Sequence, residues 1–417
     1  MHAPGIALIG RARKLAFLKE IVPCIDVVME SELQAPWWEQ LPEDFWRQAD
    51  GTELDAGNRL KVHGTAAIER VLRTSLSSTV ATAMSVALYK GGNAGHEFEA
   101  LRFYEPLARA GDATRVFLQP PKGITIEKSP ATGCSVGLRG IQRFQLRFAS
   151  PFKPLNPAAQ AQFENMQNNL LAHAQHWCHG DRPRPTLIVI HGFAADATFL
   201  NAQALSLASL YRQGYDILLF TYPHHGPRAE RGDLFSGVGL FGRGLLSFTE
   251  SPLHAIHDLR VFIDYLQERG VEHIGVTGIS LGGYTASLLA TVDERLSFCI
   301  PIVPAVSPID LFLEWWPTGV LLPRLMRSQG VNVAQMRGLT AVHNPLTYKP
   351  CIDGKRVLII GGAGDRFSLP RHLRLLQRHW PDSQLHWFPG SHLIHLGRGE
   401  YLLRMRAFMD QWCEALH

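Results

Sequence analysis

Ser280 lies at the centre of Gly278-Ile279-Ser280-Leu281-Gly282. Small residues two places either side of a serine describe a nucleophile elbow, a turn so sharp that side chains at the flanking positions would strike the neighbouring strand. The context agrees with the letters: Ile274 to Thr277 reads as a short buried strand, and Gly283 to Ala290 as a helix able to pack closely on a sheet. A serine hydroxyl is a weak nucleophile at neutral pH, so it needs a base within reach and a third group to orient that base. Asp365 ends Gly361-Gly362-Ala363-Gly364-Asp365 after one apolar run, and His392 ends Pro389-Gly390-Ser391-His392 after the next. Ser280, Asp365 and His392 are the expected catalytic residues.

Each has a rival or a plainer reading. Asp310 follows another apolar run and is an alternative acid, and Asp365 could simply cap a helix starting near Leu369. His395 competes with His392; the Gly-x-His pattern directly after a strand resembles a known histidine turn and favours His392, whereas His395 sits one helical turn later. His173, His176 and His179 recur every third residue, but on a strand neighbours at that spacing fall on opposite faces, which argues against a metal site. His224 and His225, in Pro223-His224-His225-Gly226-Pro227-Arg228, are read as shaping a tight turn at the mouth of a pocket.

The elements that must position these groups alternate short apolar runs with helix-length amphipathic runs from about residue 140 onward, the pattern of a parallel sheet with crossover helices. Strands are predicted at Arg143 to Phe148, Leu171 to Trp177, Thr186 to Ile190, Asp216 to Phe220, Phe298 to Val303, Arg356 to Ile360 and Gln384 to Phe388. Crossover helices are predicted at Leu253 to Gln267 and Arg371 to His379. Before that, Arg11 to Met29 and Thr65 to Lys90 look helical, around a turn-rich stretch with Trp37, Trp38 and Trp46, whereas Ala113 to Ile126 and Val136 to Arg147 look extended. Residues 1–135 are therefore expected to form an N-terminal helical extension docking on a catalytic domain at 136–417, which carries insertions at 223–250 and 304–349. Both insertions follow strands at the carboxyl edge, where open α/β sheets bind ligands. Their apolar stretches, Leu234 to Phe248 and Leu311 to Trp316, are expected to cap an apolar acyl pocket.

Composition narrows the class. With 417 residues, 46% hydrophobic and 19% charged, the chain can bury a large core, and a net charge of +4 with scattered arginines gives no basic stripe for nucleic acid. Six cysteines without a C-x-x-C pair argue against a zinc site or a disulfide framework, and a cytoplasmic location is expected. No secretory leader pattern is read at the start. The uncharged run Thr74 to Tyr89 is too rich in Ser, Thr and Ala for a membrane span.

From about residue 140 the chain resembles the α/β-hydrolase superfamily, with its elbow, its acid and histidine turns in the order Ser, Asp, His, and a His191-Gly192 turn after the strand ending at Ile190. Pro223 to Arg228 also resembles a block in a little-characterised α/β-hydrolase-domain branch. The resemblance implies an α/β-hydrolase fold, a mostly parallel sheet with helices on both faces. It implies an oxyanion hole from the backbone N–H groups of Phe193, or Ala194, and Leu281. It also implies serine-dependent hydrolysis of a small-molecule carboxylic ester with an apolar acyl group, with no metal or organic cofactor. A thioesterase, acyltransferase or peptidase would use the same triad, and a binding protein on an inert hydrolase scaffold is the reading from another class. The sequence leaves the oligomeric state open.

Overall fold

A computed structural model describes residues 35–48, 56–90, 94–131 and 141–413. Among the described residues, nine strands form one sheet in the order β1-β2-β3-β5-β4-β6-β7-β8-β9. They are β1 (Glu127–Pro130), β2 (Gln142–Ala149), β3 (Leu171–Cys178), β4 (Thr186–Ile190), β5 (Asp216–Thr221), β6 (Ile274–Ile279), β7 (Phe298–Ile302), β8 (Leu358–Gly362) and β9 (Gln384–Phe388). The pairings from β5 through β9 are parallel, and those joining β1, β2, β3 and β5 are antiparallel.

The central strands are continuous apolar runs because both faces are covered. In β4, Leu187 and Val189 pack with the Leu207–Arg212 and Arg398–Trp412 helices, while Ile188 and Ile190 join a larger core with the Gly244–Glu268 and Leu281–Val292 helices. Each such side chain, fully removed from water, contributes roughly 1.5–3 kcal/mol.

The predicted strands and crossover helices occur with shifted ends. The first crossover begins at Gly244, so the last residues of the 223–250 segment are its opening turns. Its start is held by Glu97, whose carboxylate accepts the Leu245 and Leu246 N–H groups at 2.8 and 3.1 Å, as a negative charge at a helix N-terminus should. One expectation is corrected: Ala113 to Ile126 is not extended throughout. Ala113–Val116 is a helical turn capped by Asp112, which accepts from Thr114 N–H at 3.0 Å, and the local cap overrides the β-prone composition. Val136 to Arg147 is a strand from Gln142 on, and its residues up to 140 lie outside the described ones, as does the predicted helix Arg11 to Met29.

The helical extension is present. Its longest element, Ala56–Lys90, turns Val62, Ala66, Glu69, Ser77 and Val80 inward at helical spacing. The preceding segment is pinned by two arginines from the sheet domain: Arg337 donates to Leu41 O and Pro42 O, and Arg371 to Trp46 O and Gln48 O. Arg337 is itself fully buried against Asp310, with nitrogen–oxygen distances of 2.6 and 3.0 Å. Asp310→Ala would leave that guanidinium buried and unpaired, at a cost of about 3–5 kcal/mol. Urea unfolding should show a lower midpoint with the same slope, and an unchanged midpoint would remove this pair from the supports of the fold.

Candidate active site

Ser280 caps the Leu281–Val292 helix at φ 58° and ψ −112°, a left-handed φ that a serine adopts only under constraint. The constraint is the close packing of the turn: a Cβ at Gly282 would fall inside the Ile190 carbonyl group. Backbone hydrogen bonds complete the grip, with Ser280 N–H donating to Ile302 O at 2.9 Å. Ala194, His224 and Val303 also have positive φ, and with Ser280 they lie just beyond the carboxyl ends of β4, β5, β6 and β7. Strained backbone concentrates at one edge of the sheet, as it does at functional sites.

The loops after β8 and β9 lie side by side at this edge, Ala363 N–H donating to Phe388 O and Gly364 N–H to Gly390 O. They bring Asp365 and His392 together: Asp365 Oδ2 accepts from His392 Nδ1 at 2.8 Å. The other oxygen of Asp365 accepts the Phe367 and Ser368 N–H groups at 2.8 and 2.7 Å, so the carboxylate is fixed by its own turn and does not cap the Pro370–His379 helix. The bond to Asp365 assigns the proton to Nδ1 and leaves Nε2 as acceptor. Burial disfavours the imidazolium of His392, but the charge and hydrogen bond of Asp365, with a further contribution from Glu69, outweigh it and raise its pKa above the ordinary 6.5.

Ser280 and His392 open onto one cavity of about 440 Å³, also lined by Phe193 and Leu281. Its walls are almost wholly apolar. A chain of ring contacts runs from Phe193 through Phe241, Phe312 and Trp315 to Phe367, whose ring lies 5.0 Å from that of His392. Of the two stretches expected to cap a pocket, Leu234 to Phe248 contributes Leu240, Phe241 and Phe248 to the cavity walls, and Leu311 to Trp316 contributes Leu311, Phe312 and Trp315, while Leu234 and Trp316 are exposed. The Ala56–Lys90 helix completes the walls with Leu72, Leu76 and Val80. The turn holding Phe193 is set by His191: Tyr222 N–H donates to Nε2 at 3.0 Å, so Nδ1 carries the proton and donates to Gly192 O at 2.8 Å. Burial keeps His191 neutral by lowering its pKa.

The rivals lie elsewhere. Asp310 is committed to Arg337 and Ser307. His395 Nε2 donates to His392 O at 2.9 Å and its Nδ1 accepts from Tyr401, while burial lowers its pKa to about 4. His224 and His225 are fully buried and do not line the cavity, His225 meeting the Phe193 side chain with ring centroids 5.7 Å apart. His224 N–H binds Asn169 Oδ1 and the nearby Arg228 pairs with Asp258 at 2.8 Å, anchoring the loop after β5. His179 meets Asp216 at 2.7 Å and His176 meets Tyr265 at 3.3 Å.

Sequence reasoning missed Glu69. It is fully buried on the Ala56–Lys90 helix and accepts Arg366 N–H at 3.1 Å and Leu393 N–H at 2.5 Å, the residues following Asp365 and His392. Its signal was a lone carboxylate in register with the stripe Leu72, Leu76, Val80.

The family model described as alpha/beta hydrolase domain containing 18 matches residues 250–325, which span the elbow. An uncharacterized protein of Mycobacterium tuberculosis is 28% identical over 291 residues, 67% of this chain and 67% of its own length. An α/β hydrolase of an Acremonium species is 30% identical over 186 residues, 42% of this chain and 34% of its own. Acetyl xylan esterase 1 of Thermoanaerobacterium sp. aligns with a TM-score of 0.50 at 16% identity, over 75% of this chain and 94% of the esterase, a likeness of fold. The mostly parallel sheet with its helices on both faces, the strained serine at the carboxyl edge and these matches agree on an α/β-hydrolase fold, and over residues 250–325 the chain is similar to an α/β-hydrolase family.

Proposed function

We propose that the protein is a serine hydrolase that cleaves a carboxylic ester with an apolar acyl group through an acyl-enzyme. The observation that carries this reading is the buried Asp365–His392 pair facing the same apolar cavity as the strained Ser280. His392 Nε2 takes the proton from Ser280 as its hydroxyl attacks the ester carbonyl, and Asp365 stabilises the imidazolium that results. The alkoxide leaving group takes that proton from His392 and departs as the alcohol. Water then attacks the acyl-enzyme by the same route.

The oxyanion is assigned to the backbone N–H groups of Phe193 and Leu281. Leu281 is the first residue of its helix, where N–H groups have no intrahelical acceptor and the helix end is positive. Donors of this kind are worth more in a water-poor cavity than in solution, and loss of one typically costs about 10²–10³ in kcat.

Ser280→Ala should keep the thermal midpoint of the parent and lose both ester turnover and labelling by a fluorophosphonate. Undiminished turnover would refute the assignment. A series of p-nitrophenyl esters should show kcat/KM rising from acetyl to medium-length acyl chains, because each added methylene buried in an apolar site contributes about 0.8 kcal/mol. A preference for charged acyl groups contradicts the apolar pocket, and turnover of thioesters alone would reassign the acyl donor.

The base works only when neutral, so kcat/KM must fall on acidification as His392 gains a proton. Because its pKa is raised, that fall is centred above pH 6.5. Asp365→Asn removes the charge that opposes the burial penalty, so the fall should move to lower pH while kcat drops by about 10⁴. A profile flat from pH 5 to 8 would argue against a histidine base.

A further inference from the structure

The Ala56–Lys90 helix touches the site at three successive turns. A Cβ on Gly364, the residue before Asp365, would lie 2.8 Å from Val62 O and 3.2 Å from Thr65 Oγ1, so the helix backbone rests directly on the acid turn. One turn later Glu69 binds Arg366 N–H through one oxygen and Leu393 N–H through the other. One turn beyond that, Arg73 donates to Arg366 O at 2.7 Å and to Glu314 at 3.1 Å. Both ends of Arg366 are thus held by residues far upstream, and the acid and base turns share one acceptor group.

We infer that Glu69 is a positioning residue for the acid–base pair, a second carboxylate supplied by the N-terminal extension that fixes the spacing of the Asp365 and His392 turns. The inference rests on the serine-hydrolase reading above. Its physical basis is that Glu69 meets the two N–H donors with separate oxygens, both of them acceptors in a carboxylate. Glutamine of the same length has one oxygen, and its NH₂ group would oppose the other donor. Loss of the shared acceptor frees both part-buried N–H groups to find other partners, so the two turns are no longer tied to one another, and small displacements of reacting groups carry large rate penalties.

The groups facing His392 separate this role from simple support. Asp365 is bonded to Nδ1, Glu69 approaches from the helix, and His395 bonds the His392 carbonyl but is held neutral by burial. The cation of Arg73, one turn along the helix, is engaged by Glu314. Glu69 is therefore the carboxylate besides Asp365 that favours the imidazolium.

The full chain carrying Glu69→Gln or Glu69→Asp is assayed with a short p-nitrophenyl ester, kcat being normalised to sites labelled by fluorophosphonate. Glu69→Gln should lose about 10²-fold in kcat with KM little changed, and the acidic fall of kcat/KM should move to lower pH. Glu69→Asp keeps the charge on a shorter stem, so it should return the fall towards its parental position while leaving kcat reduced. If either variant has parental kcat per labelled site and a parental pH profile, with only the thermal midpoint lowered, Glu69 is a structural tether and the inference is overturned. An inactive, unlabelled parent protein would bring down the hydrolase reading itself, whereas an active parent with an unaltered Glu69→Gln profile brings down this inference alone.

Discussion

The structure depends on backbone meeting backbone at the centre of the sheet. The Ile190 carbonyl of β4 and the elbow glycines of β6 and its helix leave no room for side chains between them, so the chain after Ile279 must turn at once. Ser280 bears the consequence in its left-handed φ, a departure that costs on the order of 1–3 kcal/mol where nothing compensates. Here the parallel registers of β4, β6 and β7 compensate, together with the bond from Ser280 N–H to Ile302 O. The hydroxyl is thereby held at the open edge of the sheet without any side chain of the pocket having to hold it there.

The other half of the proposed site has no such enclosure. The loops after β8 and β9 are joined to each other by two backbone hydrogen bonds, and from outside they are held by the Ala56–Lys90 helix and by Trp315, which donates to Phe367 O. That helix also forms one wall of the cavity, so the same element bears on acid–base geometry and on pocket shape. Arg337 and Arg371, anchored by Asp310 and Glu314, hold the chain just before it against the sheet domain. The extension is packed into the site at every level the contacts describe.

Local patterns made the sheet legible in the sequence. Runs such as Thr186 to Ile190 and Asp216 to Phe220 are apolar on both faces, and the elbow advertises itself because glycine is required two residues either side of Ser280. Asp365 and His392 could be named because each directly follows a strand. The role of the extension was not legible, since Glu69 lies 297 and 324 residues from its bonding partners and nothing in its own surroundings announces them. The misread stretch at Ala113 to Ile126 has a different cause. Asp112 offers its carboxylate to Thr114 N–H, and a single side-chain cap is enough to fold one helical turn where composition suggests extension.

Electrostatics join the two halves. An apolar cavity makes every unbalanced charge expensive, which alone would press His392 towards its neutral form. Asp365 and Glu69 reverse that pressure, and both are held by backbone N–H donors that do not move when a proton does. In the proposed reaction the proton leaves Ser280 and arrives at His392, creating a cation beside two carboxylates and an anion near the positive end of the elbow helix. Fixed dipoles and charges already face the places where those charges appear, so little reorganisation is needed at the moment of transfer. The same arrangement gives a reason for an acidic helix residue to be buried in the extension: its carboxylate orders two turns and favours the one ionisation on which the chemistry would depend.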